Sequence, residues 1–285
     1  ELMRRHSLPS LRMALHRLHE PEGALDIDPQ GAAWRRLAYD ELMAGQLALA
    51  LVRARLRRGS GRALCGNGDI EDRIRAALPY SLTRAQEQAL AEIHADLAEP
   101  QRMLRLLQGD VGSGKTVVAL LAMARAAEAG AQSALMAPTE ILARQHFATI
   151  APLAERAGLK VAVLTGREKG RERAAILDGI ASGETAIVVG THALFQESVT
   201  FRDLGLAIVD EQHRFGVHQR LAISAKGGAV DMLVMTATPI PRTLVLTAFG
   251  DMDVSRLTEK PAGRQPIQTV TLPLERLSQL VERIR

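Results

Sequence analysis

The sequence predicts an α/β fold in which a mostly parallel β-sheet is covered by helices on both faces. The first observation is that short apolar runs alternate with segments of helical periodicity after Pro79. The second is a glycine-rich stretch at 109–114, which stands between one such run and the next helical segment. The third is that residues 1–79 show helical periodicity and no strand pattern. In parallel sheets of this kind, ligands bind beyond the carboxyl ends of the strands.

The elements follow from these patterns in chain order. Apolar residues three or four positions apart predict helices over 8–19 and 34–56, joined by a turn-rich loop at 19–31. The glycine-rich residues 59–68 predict a flexible surface connection. Strands are predicted at 103–108, 133–137, 161–164, 186–189, 206–209 and 232–235. Helices are predicted at 115–129, 140–157, 168–181, 218–225 and 242–249.

Composition places the chain among ordinary globular proteins, with 47% hydrophobic and 24% charged residues in a length of 285. Cys65 is the single cysteine, so it forms no internal disulfide and no structural zinc site by itself. We find no leader peptide and no apolar run of about 20 residues, so we expect no membrane contact and a cytoplasmic location. Because the chain begins at Glu1 instead of methionine, we expect it to be part of a longer protein.

Charge is a weak guide to partners. The net charge is +4, which favours nucleic acid only slightly, because residues 81–265 carry equal numbers of acidic and basic side chains. Aromatic residues make up 3% of the chain, which leaves few platforms for stacking single-stranded bases.

The strongest motif is GDVGSGKT, which fits the phosphate-binding pattern G-x-x-x-x-G-K-[ST] and lies between a predicted strand and a predicted helix. Glycines let the backbone wrap around phosphate oxygens, and the helix N-terminus adds positive potential. Lys115 would reach the β- and γ-phosphates and Thr116 would bind Mg²⁺. The alternative is a glycine-rich turn with a chance lysine. The candidate ATP-binding residues here are Gly109, Asp110, Val111, Gly112, Ser113, Gly114, Lys115 and Thr116.

An acidic pair follows another apolar strand. The run LGLAIV ends in Asp210 and Glu211, and its strand end would meet the phosphate loop at the same edge of the sheet. Asp210 could hold Mg²⁺, and Glu211 could act as the general base for water attacking the γ-phosphate. An acidic pair in an ordinary loop is the alternative.

Weaker clusters surround these motifs. The amide of Gln86, in the segment LTRAQ, could pair with adenine, although Thr83 could equally well be a simple helix cap. Thr139 and Thr191 each follow a strand, where they could meet sugar-phosphate or cap helices. The segment MTATPIPR ends a strand with two hydroxyl groups and a proline-stiffened turn.

Taken in order, GDVGSGKT, APTEILARQH, VVGTHALFQ, IVDEQHRFGVHQR and MTATPIPRTL resemble the superfamily 2 helicases and, more closely, the bacterial RecG-type branch-migration helicases. The transcription-repair coupling translocases share several of these segments. Gln212 within DEQH favours the RecG type over them. The resemblance implies a RecA-like P-loop NTPase lobe preceded by an α-helical connector. It also implies ATP-driven remodelling of stalled forks and four-way junctions.

The resemblance also implies roles for particular residues. Lys115 and Glu211 would be catalytic, Thr116 and Asp210 would hold Mg²⁺, and Tyr80, Thr83 and Gln86 would bind adenine. Residues that would couple the nucleotide state to DNA are Gln212, His213, Thr236, Thr238 and Arg242. Residues that would contact the DNA backbone are Pro138, Thr139, Thr191 and His192. The expected cofactors are ATP and Mg²⁺, the expected partner is branched or double-stranded DNA, and we expect a monomer.

The sequence departs from the whole family pattern at both ends. We find no N-terminal wedge domain and no Gln-x-x-Gly-Arg-x-Gly-Arg segment of a second motor lobe. We therefore expect a helical connector at 1–79, motor lobe 1 at 80–265 and the start of lobe 2 at 266–285. Two other classes stay open from the phosphate loop alone: a non-helicase P-loop ATPase, and a nucleotide-binding module without catalysis.

Overall fold

The computed structural model describes residues 6–24, 26–57, 61–210, 226–227, 229–237, 252–259 and 271–284. Its helices are α1 (Leu11–His19), α2 (Ala32–Arg57), α3 (Asp69–Ala77), α4 (Arg84–Leu97), α5 (Lys115–Glu128), α6 (Glu140–Arg156), α7 (Gly170–Ser182) and α8 (Leu277–Ile284). Its strands are β1 (Leu104–Gly109), β2 (Gln132–Met136), β3 (Val161–Leu164), β4 (Ile187–Gly190), β5 (Leu204–Asp210), β6 (Asp231–Thr236) and β7 (Asp253–Leu257). The helices predicted at 218–225 and 242–249 lie outside the described residues.

The seven strands form one sheet in the order β3-β4-β2-β5-β6-β1-β7, and every pairing is parallel. This confirms the predicted α/β fold and all six predicted strands. Strand β7 was not predicted, because its sequence DVSRL has only two apolar residues. Among the described strands, β7 pairs with β1 and lies at the edge of the sheet, where half-exposed positions tolerate polar side chains.

Helices cover both faces of the sheet. Alternate strand residues point to opposite faces, so neighbours such as Leu106 and Leu107 belong to two separate apolar clusters. One cluster contains the apolar residues of α5, which is buried around most of its circumference. Burial on every side explains why the α5 sequence TVVALLAMARAA shows almost no polar face.

The segment before α4 packs on this core. Leu64 and Ile74 are almost fully buried within the α5 cluster, and the Leu64 N–H donates to the Leu97 carbonyl at 2.7 Å. The expectation of a flexible surface connection is therefore wrong for residues 61–67, because one apolar side chain among the glycines anchors them. Residues upstream of Pro79 therefore contribute to the apolar core around α5. The division of the chain into three domains stays a prediction.

A side chain from α5 caps α3. The N-cap residue Gly68 has φ of 91° and no side chain, and the Glu128 carboxylate accepts hydrogen bonds from the N–H groups of Gly68, Ile70 and Glu71 at 2.8, 2.7 and 3.1 Å. An anion at a helix N-terminus is favourable for the helix dipole. Glu128 therefore fastens α3 to the helix that starts at the phosphate loop.

Helices α1 and α2 pack against each other, and Ala14 and Ala33 are buried. Across the described parts of the chain, we find no helix with the length and apolar content that a membrane crossing requires.

Candidate nucleotide site and nucleic-acid interface

The strand register brings the candidate site residues to one edge of the sheet. Strands β3, β4 and β2 end in register: Gly190 at the end of β4 pairs with Leu164 of β3 and with Met136 of β2. The loops that follow these three strands therefore start side by side. Further along the same edge, Asp210 ends β5, Thr236 ends β6 and Gly109 ends β1. The edge therefore carries the candidate DNA-contact residues on one side and the phosphate loop on the other.

The phosphate loop has the backbone that its glycines predict. Gly112 and Gly114 have φ of 76° and 87°, values that L side chains rarely adopt. A Cβ atom at Gly114 would also overlap Nε2 of Gln86. Lys115 begins α5, and its ammonium group donates to the carbonyl oxygens of Gly109 and Asp110 at 2.6 and 3.1 Å. The loop thus surrounds a lysine and ends at a helix N-terminus, as phosphate binding requires.

Ser113 and Val111 differ in what they offer a ligand. The Ser113 hydroxyl is buried and has no hydrogen-bond partner among the described residues, and the Ser113 N–H donates to the Asp110 carbonyl at 3.1 Å. Val111 is 73% exposed at the tip of the loop. Because the Ser113 hydroxyl is buried and the Val111 side chain is apolar, we expect any contribution of theirs to phosphate binding to come from the backbone.

Gln86 is already engaged inside the protein. Its Oε1 accepts from the Thr83 N–H at 2.8 Å, its backbone N–H donates to the Thr83 hydroxyl at 3.2 Å, and its Nε2 donates to the Ser113 carbonyl at 2.8 Å. The first two bonds form a capping box at the start of α4. The structure therefore shows the helix cap, and it adds a contact between Gln86 and the phosphate loop that the sequence did not predict. Reading of adenine by Gln86 stays a prediction.

Tyr80 lines a cavity of about 470 Å³ next to this capping box. The cavity is lined by Arg75, Leu78, Pro79, Tyr80, Ser81, Leu82 and Glu87. Tyr80 is 48% exposed, which leaves a ring face accessible. Gln86 does not line this cavity, because its side chain turns inward to Ser113.

Asp210 and Thr116 are joined by a residue that sequence reasoning missed. His146 on α6 contacts the Asp210 carboxylate through Nε2 at 2.7 Å and the Thr116 hydroxyl through Nδ1 at 3.5 Å. The only sequence signal was its position, seven residues after Thr139 on a helix that runs from the same sheet edge.

The oxygen donors of Thr116 and Asp210 fit Mg²⁺. Hydroxyl and carboxylate oxygens are the hard ligands that this ion prefers, and it commonly takes one or two from protein and the rest from phosphates and water. Within the described ranges, no group of three His, Cys, Asp or Glu side chains could hold a metal ion. The arrangement is therefore an open pair of ligands beside a phosphate loop, not a closed cage.

The candidate coupling residues are only partly described. Thr236 is buried at the end of β6 and pairs in register with Gln108, one residue before the phosphate loop. Glu211, Gln212, His213, Thr238 and Arg242 lie outside the described residues.

The candidate DNA-contact residues differ in exposure. Thr139 is exposed and caps α6 by accepting from the Leu142 N–H at 3.3 Å, and Pro138 beside it is half-buried. His192 is exposed, whereas Thr191 is buried. The Ala137 N–H donates to the Gly190 carbonyl at 2.8 Å, which fixes the two loops next to each other.

A third loop lies on the same edge, after β3, and is held by a buried acid. Glu168 accepts from the backbone N–H and the hydroxyl of Thr165 at 2.6 and 2.9 Å, and from the Arg144 guanidinium at 2.7 Å. Although burial opposes ionisation of Glu168, these hydrogen bonds outweigh it and lower the pKa of its carboxyl. The loop is therefore fixed from within, while Arg167 points outward.

Comparison with known proteins identifies the class. The DEAD/DEAH box helicase family matches residues 83–246, which is more than half of the chain, and the chain belongs to this family. Its fold is accordingly the RecA-like helicase fold that the sequence predicts. Helicases of this family use ATP.

Within that class, the chain is similar to RecG. It is 46% identical to the ATP-dependent DNA helicase RecG of Escherichia coli O157:H7, over 97% of this chain and 41% of that protein. Identity to the Bacillus subtilis RecG is also 46%, over 99% and 41%. A solved structure of RecG bound to a three-way DNA junction matches 99% of this chain and 38% of that chain, with a TM-score of 0.84 and 40% identity. The chain therefore spans about two fifths of the length of these relatives.

Proposed function

We propose that the chain is the ATP-binding motor lobe, with a helical connector, of an ATP-dependent DNA helicase that remodels branched DNA. The observation that carries this proposal is the sheet edge on which the phosphate loop and Asp210 lie beside the exposed Thr139 and His192. A nucleotide and a DNA backbone could both be bound along one edge. The named activity of the RecG relatives, and the junction bound in one solved relative, support branched DNA as the partner.

In this proposal, the phosphate loop binds the triphosphate of ATP through its backbone N–H groups and Lys115. The Lys115 ammonium group exchanges the carbonyls of Gly109 and Asp110 for phosphate oxygens when nucleotide binds, because these carry more negative charge. Tyr80 stacks on the adenine ring in the cavity that it lines. Adenine binding is also assigned to Thr83 and Gln86 in the adjoining capping box.

Thr116 and Asp210 would hold Mg²⁺, which would supply positive charge to offset that of the β- and γ-phosphates. Glu211, the residue after Asp210, accepts a proton from the attacking water. Coupling of the nucleotide to DNA is assigned to Thr236 and to four residues outside the described ranges, Gln212, His213, Thr238 and Arg242.

The DNA backbone is contacted by Pro138, Thr139, Thr191 and His192. Exposed hydroxyl, imidazole and backbone groups at this edge suit phosphate and sugar contacts, which position a protein without reading sequence. In the proposed domain organisation, residues 1–79 form a helical connector, 80–265 form motor lobe 1 and 266–285 are the start of motor lobe 2.

The test measures ATP hydrolysis by the full-length protein, meaning the complete natural polypeptide that contains this sequence. Rates are compared with forked DNA, linear duplex, single strands and no DNA, with Lys115→Ala as the control for contaminating ATPases. We expect branched DNA to stimulate hydrolysis most. Equal stimulation by linear duplex would favour a transcription-repair type translocase, and no stimulation by any DNA would overturn the proposal.

A further inference from the structure

We propose that His146 is a positioning residue of the nucleotide site. It holds the Asp210 carboxylate and the Thr116 hydroxyl in the arrangement that Mg²⁺ requires. Through α6, it also joins this pair of ligands to Thr139 at the start of the helix. The inference rests on the proposed function and adds a residue to it.

The contact between His146 and Asp210 is short and shielded from water. Nε2 lies 2.7 Å from Oδ2, and the two side chains are 12% and 10% exposed. A hydrogen bond is stronger where little water competes with it. The contact therefore fixes the direction of the carboxylate before any cation binds.

The donor and acceptor roles of the imidazole follow from its partners. An ionised carboxylate only accepts, so Nε2 carries the hydrogen, and Nδ1 is then the acceptor for the Thr116 hydroxyl at 3.5 Å. With this tautomer, a hydrogen bond between Thr116 and Nδ1 requires the hydroxyl to donate, which would leave its oxygen lone pairs available to a cation. One imidazole thus orients both oxygen ligands.

His146 itself is not a fitting ligand for this ion. Mg²⁺ binds oxygen in preference to nitrogen, and the described part of the chain holds no cluster of three metal-binding side chains around His146. Residues that orient ligands from behind the metal commonly act through a hydrogen bond of this kind.

Helix α6 extends the contact toward the DNA-binding edge. His146 follows Thr139 by seven residues, two turns or about 10 Å along the axis, so the two lie on the same side of the helix. On the same helix, Arg144 bonds to Glu140 at 2.9 Å and to Glu168 at 2.7 Å, which ties α6 to the loop after β3. Thr139 and His146 thus lie on one helix, which connects the candidate DNA-contact edge to the two magnesium ligands.

The experiment measures binding of a fluorescent ADP analogue to this chain as Mg²⁺ is titrated. His146→Leu removes both contacts, whereas His146→Gln keeps a donor that can reach Asp210. Thr149→Ala, an exposed residue one turn further along α6, is the matched control. Thermal melting of each variant checks that the fold is intact. If His146→Leu has a much lower melting temperature than wild type, the Mg²⁺ titration of His146→Gln is compared with wild type instead.

We expect His146→Leu to need about tenfold more Mg²⁺ for half-maximal tightening of nucleotide binding. Glutamine should restore part of this loss, and Thr149→Ala should behave as wild type. Nucleotide binding without Mg²⁺ should be equal in all four proteins. In the full-length protein, His146→Leu should lower kcat at saturating Mg²⁺ and DNA more than it raises KM for ATP.

Two results would overturn the inference: an unchanged Mg²⁺ titration in folded His146→Leu, or a shift to lower Mg²⁺, which would mean that His146 competes with the cation. Failure of the proposed function would be distinguishable from failure of the inference about His146. The former would appear in the wild-type protein, as nucleotide binding that does not respond to Mg²⁺ at all.

Discussion

The side-chain amide of Gln86 donates to the backbone carbonyl of Ser113 at 2.8 Å, so one buried residue ties the start of α4 to the phosphate loop. The same side chain closes the capping box with Thr83. Gly114 leaves room for it, because a Cβ there would overlap Nε2. The adenine side and the phosphate side of the proposed nucleotide site are therefore one hydrogen-bonded unit.

Gln86→Glu should separate these two functions of the side chain. A glutamate keeps an acceptor for the Thr83 N–H but loses the donor to Ser113, and it places negative charge beside a carbonyl. We expect ATP affinity to fall about tenfold or more, as loss of a buried hydrogen bond of about 1–3 kcal/mol implies. The measurement is equilibrium binding of a fluorescent ATP analogue.

Thr83→Val tests the cap while it leaves the bond from Gln86 to Ser113 in place. It removes the hydroxyl that caps α4 and should lower the free energy of unfolding by about 1 kcal/mol, with a smaller effect on nucleotide affinity. Equal loss of affinity in Thr83→Val and Gln86→Glu would show that the contact with Ser113 has no separate part in binding.

Lys115→Ala and Glu211→Gln should fail at different steps. Without the ammonium group, the phosphate loop loses its main positive charge, so Lys115→Ala should lose nucleotide binding. Glu211→Gln should bind ATP as wild type and lose hydrolysis, because the amide cannot take a proton from water. Parallel binding and turnover assays on the full-length protein distinguish the two. Wild-type turnover by Glu211→Gln would remove Glu211 from its proposed role.

Glu128→Ala should destabilise the chain through α3. Its carboxylate accepts three N–H groups at the N-terminus of that helix, where no cap from Gly68 is available. We expect the free energy of unfolding to fall by about 2–3 kcal/mol, measured by urea denaturation. Glu155→Ala, an exposed acid on α6, should change it little. A similar small loss in Glu128→Ala would mean that water caps α3 equally well.

Asp231 should give the stability a pH dependence. Burial raises the pKa of its carboxyl to about 7, against the opposing hydrogen bond from the Met103 N–H. Because the folded protein then holds this proton more tightly than the unfolded chain does, the free energy of unfolding should fall as pH rises from about 4 to 7, by at most about 1.4 kcal/mol per pH unit. The decline levels off about one pH unit above the pKa of the folded protein.

Asp231→Asn removes this titration and keeps an acceptor for Met103. Urea denaturation of both proteins across pH 4–8 measures the difference in their free energies of unfolding. We expect the variant to become more stable relative to wild type with rising pH. A difference that does not change with pH would contradict the raised pKa.

The 285-residue chain alone should bind ATP but turn it over slowly. Its sequence holds no Gln-x-x-Gly-Arg-x-Gly-Arg segment, and the absence of an arginine that stabilises transition-state charge costs about 10³–10⁵ in rate. A steady-state ATPase assay with and without forked DNA measures this. Strong, DNA-stimulated turnover by the chain itself would show that the catalytic set is complete within it.

Much of the fold followed from local pattern. The central strands were found because buried parallel strands are continuous apolar runs, and the phosphate loop was found because its glycines and lysine stand at fixed spacing between a strand and a helix. Strand β7 was missed because an edge strand has no such run. The expected flexible connection was wrong for residues 61–67 because burial of Leu64 depends on Leu97 and the α5 cluster, which are distant in the sequence.

The sequence by itself determined the α/β fold, the phosphate loop and the candidate ligands Thr116 and Asp210, because periodicity and motif spacing are local properties of the chain. Only the tertiary structure decided what connects them. His146 contacts residues 30 and 64 positions away, and Gln86 contacts one 27 positions away. Such pairs depend on strand order and helix packing, and the sheet order β4-β2-β5-β6-β1 is what aligns the DNA-contact candidates with the nucleotide site on one edge.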